Sequence, residues 1–224
     1  MKVVTIVSLL AVTCLAQDRE APPPLGAPKP FVLPTSDTFT LRNGMKVTLA
    51  QYGSVPLVSV RADMAFGKAN ETADQVWLSA LTVQLMREGT QTKTAEQVAN
   101  EAGRMGGQLD VVGGTDQSTV SLNVLGEFAI DAVRLISDVL RHPKLPESEL
   151  PRVRNDSLRQ LAVQLATPQS QASQAFAAKM FPNHPYGRLF PTEAQLKSYS
   201  LADVRKFYDD NIGAQRTHLY VVGR

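Results

Sequence analysis

The chain has 224 residues, which is enough for one large domain or two small ones with a sizeable core. Hydrophobic residues make up 43% of the sequence and charged residues 20%, as in an ordinary globular protein. The formal net charge of +2 is too close to neutral to indicate a nucleic acid or an anionic membrane surface as the partner.

The beginning of the chain, residues 1–16, has the features of an export signal. Lys2 supplies a positive charge, Val3–Leu10 is an apolar run, and Ala16 ends a small-residue cleavage site. That run is too short to span a bilayer, so we predict an exported protein, periplasmic or secreted, without a transmembrane segment. A buried N-terminal strand is the alternative interpretation. Anchoring as a lipoprotein through Cys14, the single cysteine, is less favoured because the residues before it make a poor lipobox.

The next segment, residues 17–36, is rich in proline and predicts an extended arm outside the core. Two alternating stretches, Thr38–Leu41 and Met45–Ala50, flank Asn43-Gly44, which is a strong hairpin signal. Leu57–Phe66 predicts a third strand, because apolar residues occupy every second position along one of its faces.

An amphipathic helix is predicted over Asp74–Thr90, where apolar residues recur at three- and four-residue spacing. Asn70 and Thr72 offer capping oxygens before this helix, and Gly89 is a suitable stop. The turn that faces inward carries Ala80, Val83 and Gln84. A His, a Glu and a second His at those positions would hold zinc and supply a general base, because positions i and i+4 share one helix face.

The rest of the sequence continues with helices and strands. A second helix opens with a capping box formed by Thr94 and Gln97, and the stretches Gln108–Val112 and Ser118–Leu125 predict two strands. Further helices, a loop and a last strand are predicted over Glu127–Leu140, Glu147–Leu165, Ser170–Met180, the loop Phe181–Pro191, short helices starting at Thr192 and Ser200, and Thr217–Val222. This order predicts an α+β fold, with an antiparallel-rich mixed sheet and helices packed on one face.

Several of these stretches resemble the M16 metallopeptidases, the family of insulinase, pitrilysin and the mitochondrial processing peptidase. The resemblance covers about residues 37–223 and follows the order and spacing of short motifs. These motifs are LRNGMKVTL from Leu41, Arg87-Glu88-Gly89-Thr90, the stretch Thr94–Asp110 and His184-Pro185-Tyr186-Gly187. The resemblance implies that residues 37–224 are a LuxS/MPP-like metallohydrolase half-unit, the N-terminal domain of a longer subunit.

In active members of that family the central helix carries an inverted zinc motif, His-x-x-Glu-His, and a later helix supplies a Glu ligand. The resemblance places the motif at Ala80, Val83 and Gln84 and the later ligand at Gln160. Alkyl groups have no lone pair to donate and neutral amides are poor zinc ligands, so no metal and no cofactor is expected here. Neither amide could deprotonate a metal-bound water. We therefore expect a chain that is inactive by itself, with zinc only in an active partner.

The chain's histidines offer no other metal site. They are His142, His184 and His218, and no pair of them has ligand spacing.

The resemblance also implies where an extended peptide would bind. The strand that begins with Gln108, Leu109 and Asp110 corresponds to an edge strand that pairs with substrate through main-chain bonds. An interior strand is the alternative. His184 and Tyr186 lie in a motif that resembles a family loop near the central cleft, and a rigid turn with a packed tyrosine is the favoured interpretation of that loop.

These expectations lead to three hypotheses about function. The first is a non-catalytic M16-like half-unit that forms a peptide-binding chamber with a zinc-bearing homologue, which is either a heterodimer partner or a second half-unit. The second is the non-catalytic N-terminal half of a longer, active M16 zinc metallopeptidase. The third is an exported binding module with no peptidase partner.

Overall fold

The architecture is a six-stranded mixed sheet with helices packed on one of its faces. The computed structural model describes residues 32–224 together with Gly26 and Pro30. The predicted export signal and most of the predicted arm therefore lie outside the described residues. The strands are β1 (Ser36–Thr40), β2 (Lys46–Gln51), β3 (Leu57–Met64), β4 (Leu109–Gly113), β5 (Ser118–Leu125) and β6 (Thr217–Gly223).

The strands lie in the order β1-β2-β6-β3-β5-β4, and only the β2–β6 pair is parallel among these neighbours. The predicted hairpin forms between β1 and β2, and Gly44 in its turn has a φ of +87°, which favours glycine. The last strand of the chain enters the middle of the sheet between β2 and β3. This order leaves β4 as the outermost strand on one side.

The described part of the chain contains seven α-helices in the predicted order. They are α1 (Leu78–Met86), α2 (Ala95–Arg104), α3 (Ala129–Arg141), α4 (Leu150–Ala166), α5 (Pro168–Met180), α6 (Glu193–Ser198) and α7 (Leu201–Asn211). Thr94, Thr192 and Ser200 each accept a bond from the backbone N–H three residues on, as their sequence context predicts. Helix α5 begins at Pro168, earlier than the predicted start at Ser170, because proline is well tolerated in a first turn.

The core lies between the sheet and the helices. Strands β3 and β5 turn alternate side chains into it, and the fully buried apolar ones are Val60, Ala62, Met64, Val120, Leu122 and Val124. The residues between them, such as Arg61 and Thr119, are polar and lie on the opposite, open face. The predicted α+β class and the predicted alternation in β3 are therefore confirmed.

The central helix is shorter than the sequence predicts. The prediction over Asp74–Thr90 is wrong at both ends, because α1 covers only Leu78–Met86. Trp77, just before it, has a left-handed backbone with a φ of 71°, which is incompatible with a continuous right-handed helix. Asn70 and Thr72 do not cap α1, since their side chains bond within the preceding turns.

A buried carboxylate caps α1 instead. Glu71 Oε2 accepts a hydrogen bond from Trp77 N at 3.0 Å, and Glu71 Oε1 accepts one from Ser79 N at 2.9 Å. The Ser79 hydroxyl donates to the same Oε1 atom. Because Glu71 is only 4% exposed, these three bonds replace the ones that water would make. Arg188 holds the same turn by donating to the backbone oxygen of Glu71 at 2.7 Å.

Removing this cap should destabilise the protein. Glu71→Ala leaves the Ser79 hydroxyl and two backbone N–H groups buried without acceptors, so we expect a loss of about 2–4 kcal/mol in unfolding free energy. Urea denaturation of the full chain measures it. Glu96→Ala is the matched control, because Glu96 lies exposed in the first turn of α2, and it should change stability by less than about 0.5 kcal/mol. Equal losses in both variants would contradict the assigned cap.

The same carboxyl should make stability depend on pH. Burial raises the pKa of Glu71 above its ordinary value of 4.5, and the bonds from Ser79 and Trp77 only partly oppose that rise. The folded state therefore holds this proton to a higher pH than the unfolded chain does. As pH rises from about 4.5 through the raised pKa, the wild type should lose unfolding free energy relative to Glu71→Gln. If the unfolding free energy of the wild type minus that of Glu71→Gln stays constant or increases with pH, the hydrogen bonds balance or outweigh the effect of burial.

Candidate functional site

The predicted zinc positions on the central helix lie beside the edge strand. Val83 is buried, whereas Ala80 and Gln84 are half-buried. A Cβ atom added to Gly113, at the end of β4, would lie 3.6 Å from Val83 Cγ2 and 3.8 Å from the Ala80 Cα atom. The end of β4 therefore packs directly on this turn of α1.

The fourth predicted position, Gln160, lies on α4, and its side chain is exposed. Helix α4 packs against α1, with Ser157 and Leu161 among its buried residues. Arg152 joins the two helices at their surface by bonding Glu88, just after α1. The structure thus brings the helix of Gln160 next to the helix of Ala80, Val83 and Gln84.

These side chains do not fit a zinc ion. Methyl and isopropyl groups carry no lone pairs, and the two amides are neutral, so the four positions offer no thiolate, imidazole or carboxylate ligand. Across residues 32–224, no three His, Cys, Asp or Glu side chains come close enough together to hold a metal ion. That these four positions correspond to the ligands and base of active relatives stays a prediction.

The edge strand turns alternate backbone groups away from the sheet. Gly126 N donates to Pro56 O at 2.9 Å, beside the β3–β5 ladder. In antiparallel strands, successive residues direct their backbone groups to opposite sides. Gly126 and every second residue before it in β5 therefore bond to β3, whereas the residues between them, such as Ser121, bond to β4. Asp110, the partner of Ser121, and Val112 thus direct their backbone groups toward β5. The backbone N–H and C=O groups of Leu109 and Val111 then point to the open edge, where an extended peptide could pair with them.

The predicted peptide-contacting residues of this strand divide between two faces. The strand begins at Leu109, one residue later than the prediction. The side chain of Leu109 lies on the helical side, opposite fully buried Leu122. Asp110 pairs with Ser121 on the open face of the sheet, and Gln108 precedes the strand. Only Leu109 therefore shares the side on which α1 lies.

The His-Pro-Tyr-Gly motif forms a braced turn. His184 Nδ1 accepts from Tyr186 N at 3.2 Å, and the two rings meet edge to face with centroids 4.5 Å apart. The Tyr186 hydroxyl donates to Asp116, in the turn between β4 and β5, and this bond raises the pKa of Tyr186. These contacts match the interpretation as a rigid turn. Contact of His184 or Tyr186 with a peptide stays a prediction.

A separate cavity lies away from the predicted zinc and peptide positions. It has a volume of about 570 Å³ and lies between the β1–β2 turn, strand β6 and helices α3 and α7. Its lining is mostly apolar and includes Met45, Ile136, Leu140, Ile212 and Leu219. None of the predicted zinc or peptide positions lines this cavity.

Comparison with known proteins decides the family. The sequence profile of the family described as Insulinase (Peptidase family M16) matches residues 46–190, more than half of the chain. The chain belongs to the M16 peptidase family. The uncharacterized zinc protease YmxG of Bacillus subtilis (strain 168) is 24% identical over 186 residues, which cover 83% of this chain and 46% of that protein.

Solved protein structures share this fold. A protease from Helicobacter pylori superposes with a TM-score of 0.79 at 18% identity, over 85% of this chain and 46% of that chain. A peptidase M16 inactive domain from Pseudomonas fluorescens superposes with a TM-score of 0.76 at 21% identity, over 84% and 46% of the two chains. The M16 chain described here thus spans about half the length of the relatives that it matches.

Sequence reasoning missed two residues near this site. Glu71, which caps α1, follows a polar stretch, and its only local signal was a carboxylate several residues before an apolar run. Arg87 lies in the Arg-Glu-Gly-Thr motif, but its spacing says nothing about the pocket that it lines beside β4. Both roles depend on contacts that only folding creates.

Restoring ligands should test the predicted correspondence. The variant Ala80→His, Gln84→His, Gln160→Glu supplies three zinc ligands and leaves buried Val83 unchanged. If the four positions match those of active M16 relatives, this variant should bind zinc roughly tenfold more tightly than the two histidines alone. Competition with a chromophoric chelator measures the affinity.

The control for this variant places the same carboxylate one helical turn away, as Gln164→Glu instead of Gln160→Glu. That control should bind zinc no better than the two-histidine variant, because its carboxylate lies off the site. Equal gains from both carboxylates would show that Gln160 is the wrong position.

Proposed function

We propose that this chain is a non-catalytic M16 half-unit that holds an extended peptide in a chamber formed with a zinc-bearing homologue. The homologue is a heterodimer partner or a second half-unit of the same protein. The chain contributes a peptide-binding edge and needs no cofactor of its own. Bond cleavage belongs to the partner.

One observation carries this proposal: the edge strand is intact, whereas the helix packed against it presents no metal ligand at the predicted positions. Leu109 and Val111 turn their backbone groups outward. Ala80 and Val83, which pack on the same strand, have only hydrocarbon side chains. Main-chain pairing gives affinity without zinc, but peptide hydrolysis in this family would require it.

The length of the chain supports a second half-unit. The chain covers only 46% of YmxG and of the Helicobacter pylori protease, so each has a further portion of similar length. The fold shared with the Pseudomonas fluorescens inactive domain supports a half-unit that does no chemistry. The same shortfall in length also favours the second hypothesis, the N-terminal half of a longer active peptidase. A downstream His-x-x-Glu-His motif in the same gene would decide for it.

The proposal also includes export of the protein from the cytoplasm. Residues 1–16 carry the sequence features of a signal, and we place the protein in the periplasm or outside the cell. Among residues 32–224, none of the helices has the length and hydropathy of a membrane-spanning segment. An exported binding module without a peptidase partner remains the third hypothesis. Affinity capture from the source cell distinguishes it from the heterodimer of the first hypothesis, because a heterodimer requires an M16 homologue among the captured proteins.

Peptide binding at β4 tests the central claim. The full chain should bind a labelled unstructured peptide in fluorescence anisotropy and should cleave nothing, with or without added zinc. Leu109→Pro removes one outward N–H without touching the β4–β5 ladder, so binding should weaken about fivefold.

Leu109→Ala is the control for that experiment, because it trims the same side chain and keeps the N–H. It should weaken binding less than the proline variant does. Stoichiometric zinc together with peptide cleavage by the isolated chain would refute the proposal.

A further inference from the structure

A pocket opens beside the first residues of the edge strand. It has a volume of about 390 Å³. Its lining comes from the first turns of α2 (Ala95, Val98 and Ala99), from Gly107–Leu109 and from Arg87 just after α1. Because β4 is the outermost strand, this pocket adjoins the edge that the proposed function assigns to an extended peptide, and the inference below rests on that proposed function.

A peptide paired with β4 would send side chains toward this pocket. Successive residues of a strand point to opposite faces of its sheet, so alternate residues of an added strand face the helical layer. Leu109, which lines the pocket, has its side chain on that layer and its backbone groups at the open edge. A peptide residue that faces the helices alongside Leu109 therefore meets the space between α2 and Arg87.

The pocket has one charged wall. Arg87 is the only ionisable residue in its lining, and the remaining lining is four aliphatic residues, one glycine and one glutamine. Within residues 32–224, the Arg87 guanidinium makes no ion pair and no side-chain hydrogen bond. Its neighbour Glu88 bonds to Arg152 instead. An uncompensated guanidinium beside apolar walls suits a carboxylate, which it can bind through two parallel bonds.

We propose that this pocket receives an aspartate or glutamate side chain of the bound peptide, with Arg87 as the residue that determines this preference. The partner chemistry is thus an extended peptide with an acidic residue at the position that faces α2. The apolar walls contact the methylene groups of the acidic side chain, and the guanidinium forms an ion pair with its carboxylate. A lysine at that position meets a like charge, which disfavours it.

Three peptides test this preference with the full chain. They are identical short extended sequences of alanine and threonine, except for one central residue that is Glu, Gln or Lys. In fluorescence anisotropy at low salt, the Glu peptide should bind about fivefold more tightly than the Gln peptide, and the Lys peptide should bind most weakly. Raising the salt concentration should reduce these differences, since the pocket is open to solvent.

Charge reversal at Arg87 provides the decisive comparison. Arg87→Glu should invert the order so that the Lys peptide binds most tightly, and Arg87→Gln should abolish the difference between the Glu and Lys peptides. Arg104→Glu is the matched control, because Arg104 is an exposed arginine at the other end of α2 that does not line the pocket. It should leave the order of the three peptides unchanged. Thermal unfolding of each variant verifies that it is folded.

The outcomes separate the pocket from the proposed function. If all three peptides bind equally and Leu109→Pro still weakens them, the edge strand binds peptides and the role of Arg87 is overturned. If Arg104→Glu inverts the order as Arg87→Glu does, general surface charge explains the preference and the pocket assignment is overturned. If no peptide binds to the wild type, the proposed function fails and this inference fails with it.

Discussion

The packing of α1 against the edge strand β4 is the contact on which the rest of the site depends. Gly113 lies close enough to Ala80 and Val83 that the end of the strand and the helix form one surface. A peptide added to β4 would therefore run past the turn that carries the predicted zinc positions. The same contact places Arg87, at the end of α1, beside the beginning of β4. The proposed peptide binding and the proposed preference for an acidic side chain both depend on this contact.

The proposed function separates two tasks, peptide binding and peptide hydrolysis. Strand pairing needs only outward backbone groups, which any residue of an edge strand supplies. Hydrolysis needs a metal and a base, which depend on a few specific side chains. Substituting the side chains on α1 can therefore remove the chemistry while the binding edge stays intact. A half-unit with Ala80, Val83 and Gln84 fits this division of labour.

The beginning of α1 depends on a buried ionisable group. Glu71 reaches the backbone N–H groups of Trp77 and Ser79 from a separate turn, and Arg188 holds that turn from a distant loop. Because the backbone of Trp77 is left-handed, α1 begins only at Leu78. Burial raises the pKa of this carboxyl and hydrogen bonding lowers it, so the stability of the folded state is coupled to pH through Glu71.

The sequence by itself determined the order of the elements and the class of the fold, but not the bounds of α1. Capping boxes at Thr94 and Ser200, the Asn43-Gly44 turn and the alternation in β3 act within a few residues, so local patterns predict them. Sheet order, the choice between an edge and an interior position for β4, the Glu71 cap and the Arg87 pocket were decided only by tertiary structure. They join residues far apart in the chain, and the free energy of such contacts depends on burial and geometry that no local pattern contains.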